Sequence, residues 1–227
     1  MKLVRVCDHT FICDWLNDNS VLLDCGVNHG DFSKWIEMNI GCSIYGFEPD
    51  PGLFIHLPQI AKAQFFPVAI LDKIGEMPLN LGTNICSSLI FKETPKQDVR
   101  RVKTTTLESF CQQRNIQQID FLKLDIERAE IGVLENVKPD MLRQIVQITV
   151  EFHDHLDIRE RPKIKRVIKR LNRLGFYCIR FSFFKYTDTL FINSYLAPLS
   201  PIDLLWLNVK SFSLGLKRYM YRMFMRK

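Results

Sequence analysis

Asp24-Cys25-Gly26-Val27-Asn28-His29-Gly30 forms a glycine-containing turn in this chain of 227 residues. Residues 21–25, which lead into Gly26, form a mainly apolar run. The helical spacing of apolar residues after Gly30 predicts an amphipathic helix. Glycines at such a turn let the backbone approach a ligand, and the helix N-terminus offers unpaired N–H groups. The stretch therefore predicts a strand-turn-helix unit that binds a ligand, although the glycines alone also fit an ordinary tight connection.

The same alternation of strands and helices continues along the chain. Further apolar runs predict strands at residues 43–47, 63–70, 119–124 and 145–152. Pro162, an apolar stripe and Gly175 predict a helix over residues 162–174, and alternating runs at 176–184 and 189–196 predict a closing hairpin. These elements predict an α/β fold with a mostly parallel twisted sheet, an antiparallel C-terminal hairpin and helices on both faces. Residues 72–103 predict a hairpin with a functional loop.

Composition and charge indicate a globular protein with two unlike parts. Apolar residues make up 47% of the chain and charged residues 25%, which excludes a disordered or fibrous protein. The net charge of +6 divides into −5 for residues 1–153 and +11 for residues 154–227. Seven scattered cysteines without a C-x-x-C pair predict a reduced, intracellular chain, and the N-terminus lacks a signal-peptide pattern. We therefore expect a cytoplasmic location.

An acidic residue at the end of the second predicted strand identifies the class of ligand. Glu48 lies 22 residues after Gly26, where a carboxylate can accept hydrogen bonds from both ribose hydroxyls of a nucleotide-like cofactor. A dinucleotide site disfavours an acid at the first strand end, because the pyrophosphate binds there. Asp24 occupies that end and suits a cofactor with a cationic amino group, such as S-adenosylmethionine. A nicotinamide-dependent oxidoreductase is the weaker alternative.

Charged side chains also follow the two later strands. Lys123, Asp125 and Glu127 end one strand, and Glu151 and His153 end the next, at the edge where α/β proteins bind ligands. We expect His153 to act as a general base on an acceptor hydroxyl and Asp125 to contact cofactor or acceptor. Two alternatives stay open: a divalent ion held by Asp125, Glu151 and His153, or a structural cluster of ion pairs around Lys123.

Five ordered motifs over residues 20–196 together resemble the FkbM family of methyltransferases. They are Asp24-Cys25-Gly26-Val27-Asn28-His29-Gly30-Asp31-Phe32-Ser33, Phe47-Glu48-Pro49-Asp50, Thr106-Leu107-Glu108, Asp120-Phe121-Leu122-Lys123-Leu124-Asp125-Ile126-Glu127 and Val150-Glu151-Phe152-His153. The resemblance implies a class I Rossmann-like fold, S-adenosylmethionine as methyl donor, and O-methylation of a sugar, glycolipid or natural product.

The resemblance also implies roles for individual residues. The residues that would line the methionine end of the cofactor are Asp24, Gly26, Asn28, Gly30, Phe32 and Ser33. Glu48 would hold the ribose, and Ala69 would lie near the adenine. Apart from the resemblance, their position at the strand ends predicts that Lys123, Asp125, Glu151 and His153 form the catalytic set. The chain departs from the family pattern at Val27, where alanine is usual, and at Arg128, where glycine is usual. If that glycine provides a positive φ, Arg128 must alter the turn or the pocket.

The basic C-terminal third predicts a methyltransferase domain over residues 1–200 and a basic amphipathic helix over 201–227. On a helical projection, one side of that helix is apolar and the other basic: Val209, Phe212, Leu216, Tyr219, Met220 and Met223 against Lys210, Lys217, Arg218, Arg222 and Arg226. Such a helix packs on its domain, lies on an anionic membrane or binds a partner. No recognisable pattern predicts specific nucleic-acid binding. An inactive docking protein with the same fold is the alternative to an enzyme.

Overall fold

The computed structural model describes residues 1–80, 88–89 and 99–224. The strands are β1 (Leu3–Val6), β2 (His9–Ile12), β3 (Val21–Cys25), β4 (Ser43–Phe47), β5 (Ala63–Phe66), β6 (Ala69–Ile70), β7 (Gly75–Asn80), β8 (Ser88–Leu89), β9 (Val99–Thr105), β10 (Ile119–Leu124), β11 (Ile145–Val150), β12 (Phe176–Arg180) and β13 (Thr189–Asn193). The helices are α1 (Asp31–Asn39), α2 (Pro51–Phe54), α3 (Leu107–Arg114), α4 (Glu130–Asn136), α5 (Pro139–Arg143), α6 (Arg161–Arg173) and α7 (Pro201–Phe224).

A seven-stranded sheet forms the centre of the fold, in the order β12-β13-β11-β10-β3-β4-β5. The strands from β11 to β5 are parallel, and β13 is antiparallel to both of its neighbours. The chain order therefore reverses direction between β3 and β10, which is the position where open α/β sheets bind ligands. The predicted α/β class, the mostly parallel sheet and the antiparallel C-terminal hairpin are confirmed.

Both faces of the central sheet are covered, because its strands alternate their side chains between two apolar clusters. On β10, Leu122 and Leu124 pack in the cluster that includes residues of α3, α4, α5 and α6. Phe121 points to the opposite face and packs with residues of α1 and of the β1–β2 hairpin. Apolar residues of β12, β13 and α7 form a third cluster. The prediction of helices on both faces is therefore confirmed.

A second, four-stranded sheet corrects one predicted strand. The single strand predicted over residues 63–70 is wrong, because β5 ends at Phe66 and β6 pairs with β9 in the second sheet. Pro67 lacks the N–H that would continue the ladder. The hairpin predicted within residues 72–103 is confirmed by the antiparallel pairing of β7 with β9. The functional loop predicted there falls mainly on residues 81–87 and 90–98, outside the described residues.

Helix α7 packs on the domain through a face that differs from the predicted apolar side. Leu207, Ser211 and Gly215 are buried, and a Cβ added at Gly215 would lie 3.3 Å from the Phe181 carbonyl oxygen. Arg218 Nη1 donates to Asp188 Oδ2 over 2.6 Å. Among the helices that the structure describes, none has both the length and the apolar character required to cross a membrane.

Candidate active site

The glycine turn, residues 24–30, lies directly against the backbone at the C-terminal end of β10. Gly26 has a φ of +91°, and a Cβ added there would lie 1.8 Å from the backbone oxygen of Asp125. Gly30 has a φ of +83°, and an added Cβ would lie 2.7 Å from Pro58 Cδ. Only glycine combines this backbone conformation with so close an approach. The two glycines of the motif are therefore required by the backbone itself.

Glu48 ties the glycine turn to the loop after β4. Its Oε2 accepts from the backbone N–H of Asn28 over 2.8 Å, and its Oε1 accepts from the N–H of Asp50 over 2.9 Å. The side chain is buried, and burial raises its pKa to about 7 despite these two donors. Further hydroxyl donors would stabilise the charged carboxylate. The predicted contact with a ribose stays a prediction, and the geometry is compatible with it.

Asp24 forms a buried ion pair with Lys123 below the turn. The Lys123 Nζ lies 3.0 Å from Asp24 Oδ1 and donates to the Gly26 carbonyl over 2.7 Å, while Ser33 Oγ donates to Asp24 Oδ2 over 2.7 Å. Burial lowers the pKa of Lys123, but the charges of Asp24 and Asp125 outweigh it and raise the pKa. Lys123 is therefore a fixed cation that supports the turn. Asp24 is fully buried, so its carboxylate can contact a cofactor only while it is also paired with Lys123.

Of the remaining residues expected at the cofactor, Phe32 and Asn28 lie at the glycine turn and Ala69 lies in the second sheet. Phe32 is buried, and its ring centroid lies 5.5 Å from Lys123 Nζ. Asn28 has a φ of +54°, and its Oδ1 is buried with no hydrogen-bond partner in the described part of the chain. Ala69 begins β6 and is buried against the apolar residues of the second sheet. An orphaned buried acceptor such as Asn28 Oδ1 is costly and fits a ligand that brings a donor.

A histidine–carboxylate cluster, His9, Asp125, Glu151 and His153, occupies the neighbouring strand ends. The Asp125 carboxylate lies 3.3 Å from His9 Nε2 and 3.9 Å from His153 Nε2. Burial raises the pKa of Asp125, but the His9 hydrogen bond and the Lys123 charge outweigh it and hold the pKa well below its usual range. Asp125 is therefore a permanent anion at the centre of the cluster.

His9 belongs to this cluster, although no pattern in the sequence selects it. It lies on β2, is fully buried, and its Nδ1 lies 3.4 Å from Thr149 Oγ1. The hairpin reaches the site because Gln147 exchanges two 3.0 Å hydrogen bonds with the backbone of Ile12. His9 precedes the first motif, and no spacing rule connects it to Asp125. Its role depends wholly on tertiary packing.

His153 is protonated at neutral pH. Its Nδ1 lies 3.3 Å from Glu130 Oε1, and its Nε2 lies 3.4 Å from Glu127 Oε2. Burial lowers its pKa, but Glu130, Glu127 and Asp125 outweigh burial and raise the pKa to about 9. An imidazolium cannot accept a proton. A pKa of about 9 therefore disfavours proton acceptance by His153 in the free protein, and its general-base role stays a prediction.

Glu151 has the pKa that a general base at neutral pH requires. Burial and the nearby Asp125 charge raise its pKa to about 7. Ligand atoms of His9, Asp125 and Glu151 lie within 4.8 Å of one another, and so do those of Asp125, Glu130 and His153. The cluster can therefore remove a proton, and its donor sets of imidazole and carboxylate can also hold a divalent ion.

Arg128 keeps the backbone that glycine would adopt. Glu127 has a φ of +50° and Arg128 a φ of +81°, and Glu130 Oε1 accepts from the Ile126 N–H over 2.9 Å. The backbone of this turn is therefore left-handed even though it contains no glycine. The expected alteration of the turn by Arg128 is absent from the backbone of these described residues. The Arg128 side chain lines a cavity of about 410 Å³ beside Met77 and Ile131.

The strand order, with an antiparallel strand between the last two parallel ones, defines a class I methyltransferase fold. The family model of the methyltransferase FkbM domain matches residues 24–178, and the chain belongs to this family. No curated protein matches the chain. The solved structures that are similar to it include the following two. An rRNA methylase from Streptococcus thermophilus is 9% identical with a TM-score of 0.47, covering 79% of this chain and 90% of its own. A protein assigned as an rRNA methylase from Clostridium thermocellum is 10% identical with a TM-score of 0.48, covering 78% and 86%.

Proposed function

We propose that this methyltransferase transfers a methyl group from S-adenosylmethionine to a hydroxyl group of a sugar, glycolipid or natural product. The observation that carries the proposal is the placement of Glu151, with its pKa of about 7, within 4.8 Å of Asp125, whose backbone oxygen lies against Gly26 of the glycine turn. A hydroxyl is a poor nucleophile until its proton is removed, so the site needs a base of this kind. The acceptor class rests on the family resemblance.

The residues around the glycine turn fit the cofactor. S-adenosylmethionine supplies an electrophilic methyl group when it is bound. Gly26 lets the turn lie close against the Asp125 backbone, Asn28 Oδ1 is a buried acceptor in need of a donor, and Glu48 would accept from the ribose hydroxyls. Lys123 neutralises Asp24 and keeps the turn rigid. These residues bind and orient the donor.

The histidine–carboxylate cluster prepares the acceptor. Glu151 removes the hydroxyl proton, and Asp125 stays ionised beside it. The protonated His153 offers a hydrogen bond to an acceptor oxygen. Glu127 and Glu130 balance its positive charge. His9 holds Asp125 in place from below. This division of roles replaces the predicted His153 base with Glu151, another member of the predicted set.

A metal-assisted version of the same reaction is the second candidate. Two overlapping groups of one histidine and two carboxylates share Asp125, and such donors suit a divalent transition metal. An ion there would acidify the acceptor hydroxyl. Dialysis of the protein against EDTA separates the two versions, because an activity carried by Glu151 alone survives it. Restoration of a lost activity by Mn²⁺ favours the metal.

Calorimetry with S-adenosylhomocysteine and with NADH tests the proposal, followed by an acceptor screen that measures S-adenosylhomocysteine release. We expect S-adenosylhomocysteine to bind and NADH to give no heat. NADH binding alone would support an oxidoreductase and overturn the proposal. Binding of S-adenosylhomocysteine without turnover of any hydroxyl acceptor would favour the inactive docking protein.

A further inference from the structure

Helix α7 has two apolar faces, and the described residues of the domain cover one of them. Leu207, Ser211 and Gly215 pack inward. The outward face, on the opposite side of the helix, consists of Leu205, Val209, Phe212, Leu216, Met220 and Met223, which are 39–67% exposed. A surface helix normally presents polar residues on the face away from its domain. The outward face is therefore a surface that needs an occupant.

Aromatic residues of a neighbouring loop extend the outward face. The Phe183 ring lies 5.4 Å from that of Phe212 and 6.2 Å from that of Tyr219. The Phe184 ring lies 5.2 Å from that of Tyr219 and is 59% exposed. The apolar surface thus continues from the helix onto the segment between β12 and β13. This apolar surface is therefore formed by the helix and a loop of the folded domain together.

The charges beside the outward face favour an anionic occupant. Residues 204–227 contain six Lys and Arg and no Asp or Glu. Lys210 and Lys217 are exposed on α7 and lie along one edge of the apolar face. Long lysine side chains at such an edge can reach anionic headgroups while the apolar face enters the lipid. A second copy of the chain would bring the same basic segment against itself, so self-association is disfavoured.

We propose that the outward face of α7, together with Phe183 and Phe184, docks this protein on the surface of an anionic lipid bilayer. The helix lies in the plane of the interface, with Phe212 and Leu216 in the acyl boundary and Lys210 and Lys217 at the headgroups. The inward face keeps the domain attached through Leu207 and the Arg218–Asp188 ion pair. The docking requires no methyl transfer and stands apart from the proposed reaction.

Sedimentation of the full chain with vesicles tests this proposal. We expect binding to mixed phosphatidylcholine and phosphatidylserine vesicles and weak binding to phosphatidylcholine alone. Phe212→Glu with Leu216→Glu should weaken the binding at least about tenfold, because two apolar side chains no longer enter the lipid. Lys210→Glu with Lys217→Glu should weaken it by more than about 25-fold, since each lysine near an anionic surface contributes about fivefold and the new glutamates are repelled by that surface.

The matched control is Lys165→Glu with Lys169→Glu on α6, which makes the same charge change on the opposite face of the sheet. We expect this variant to bind vesicles nearly as well as the wild type. Equal loss in the control would show attraction by net charge alone and would overturn the proposal. Absence of binding by the wild-type chain would do the same, as would a dimer in gel filtration that Phe212→Glu dissociates. Circular dichroism confirms that each variant is folded.

Discussion

The strand ends of β3 and β4 lie beside those of β10 and β11, but the two pairs are held by different interactions. Around the glycine turn, positive φ angles and backbone hydrogen bonds to Glu48 fix the geometry. In the histidine–carboxylate cluster, side-chain charges from three separate segments balance one another. The first arrangement changes little with pH except at Glu48. The second is tuned by charge, so single neutral substitutions should change its chemistry and leave its fold intact.

Gly26→Ala should disrupt the glycine turn and cause the largest loss of stability among these variants. The added Cβ would lie 1.8 Å from the Asp125 backbone oxygen, and alanine disfavours a φ of +91°. We expect the free energy of unfolding, measured by urea denaturation, to fall by about 3 kcal/mol or more.

Gly132→Ala is the matched control, because no atom of the described residues lies within 4 Å of its added Cβ and the residue is helical. It should raise stability by up to about 1 kcal/mol. A Gly26→Ala variant as stable as the wild type would contradict the tight approach of the turn to β10.

Glu151→Gln should stop catalysis at the cluster without unfolding it. Removing a general base lowers kcat by about 10²-fold or more. The wild-type kcat should rise as pH increases through about 7, because Glu151 must lose its proton before it can accept another. The variant should lose this rise and still bind S-adenosylhomocysteine in calorimetry. A wild-type pH profile retained in the variant would remove Glu151 from the proton transfer.

Glu48 should make cofactor binding, as opposed to turnover, depend on pH. Burial gives the free carboxyl a pKa of about 7, and ribose hydroxyl donors would favour its charged form and lower that pKa in the complex. Binding therefore releases a proton at low pH, and S-adenosylhomocysteine should bind about tenfold more weakly at pH 6 than at pH 8.

Glu48→Gln should bind more weakly at every pH and show no such slope. The Glu151→Gln variant is the matched control, because it should keep the slope in calorimetry. A slope that persists in Glu48→Gln would mean that another group titrates on binding.

The difference between the two regions also explains what the sequence could predict. Gly26 and Glu48 follow from local rules, because a turn and a strand end specify them. His9 could not be found, since tertiary contacts place the hairpin beside Asp125, among them the hydrogen bonds of Gln147 to Ile12 and of Thr10 to Asp188. The raised pKa of His153 likewise depends on Glu127 and Glu130, which become its neighbours only in the folded turn.

The face through which α7 packs on the domain could not be identified for a related reason. Both sides of the helix carry large apolar residues, and the projection favours the side with more of them. The domain instead contacts the side with Ser211 and Gly215, because small residues allow the helix to approach the Phe181 backbone closely. When small residues let a helix approach the backbone of its domain closely, hydrophobicity alone does not reveal which helix face is buried.

Arg128→Gly should produce the smallest of these effects, an increase in stability. A residue other than glycine at a φ of +81° costs about 1–2 kcal/mol, and the greater freedom of glycine in the unfolded chain offsets about half of the gain. Arg128→Ala is the matched control, because it removes the side chain that lies 3.9 Å from Asp157 and keeps the strained backbone. We expect the glycine variant to exceed the alanine variant by about 1 kcal/mol in urea denaturation. Equal stability of the two variants would show that the left-handed turn after Asp125 stores no strain, and that the arginine is tolerated there without cost.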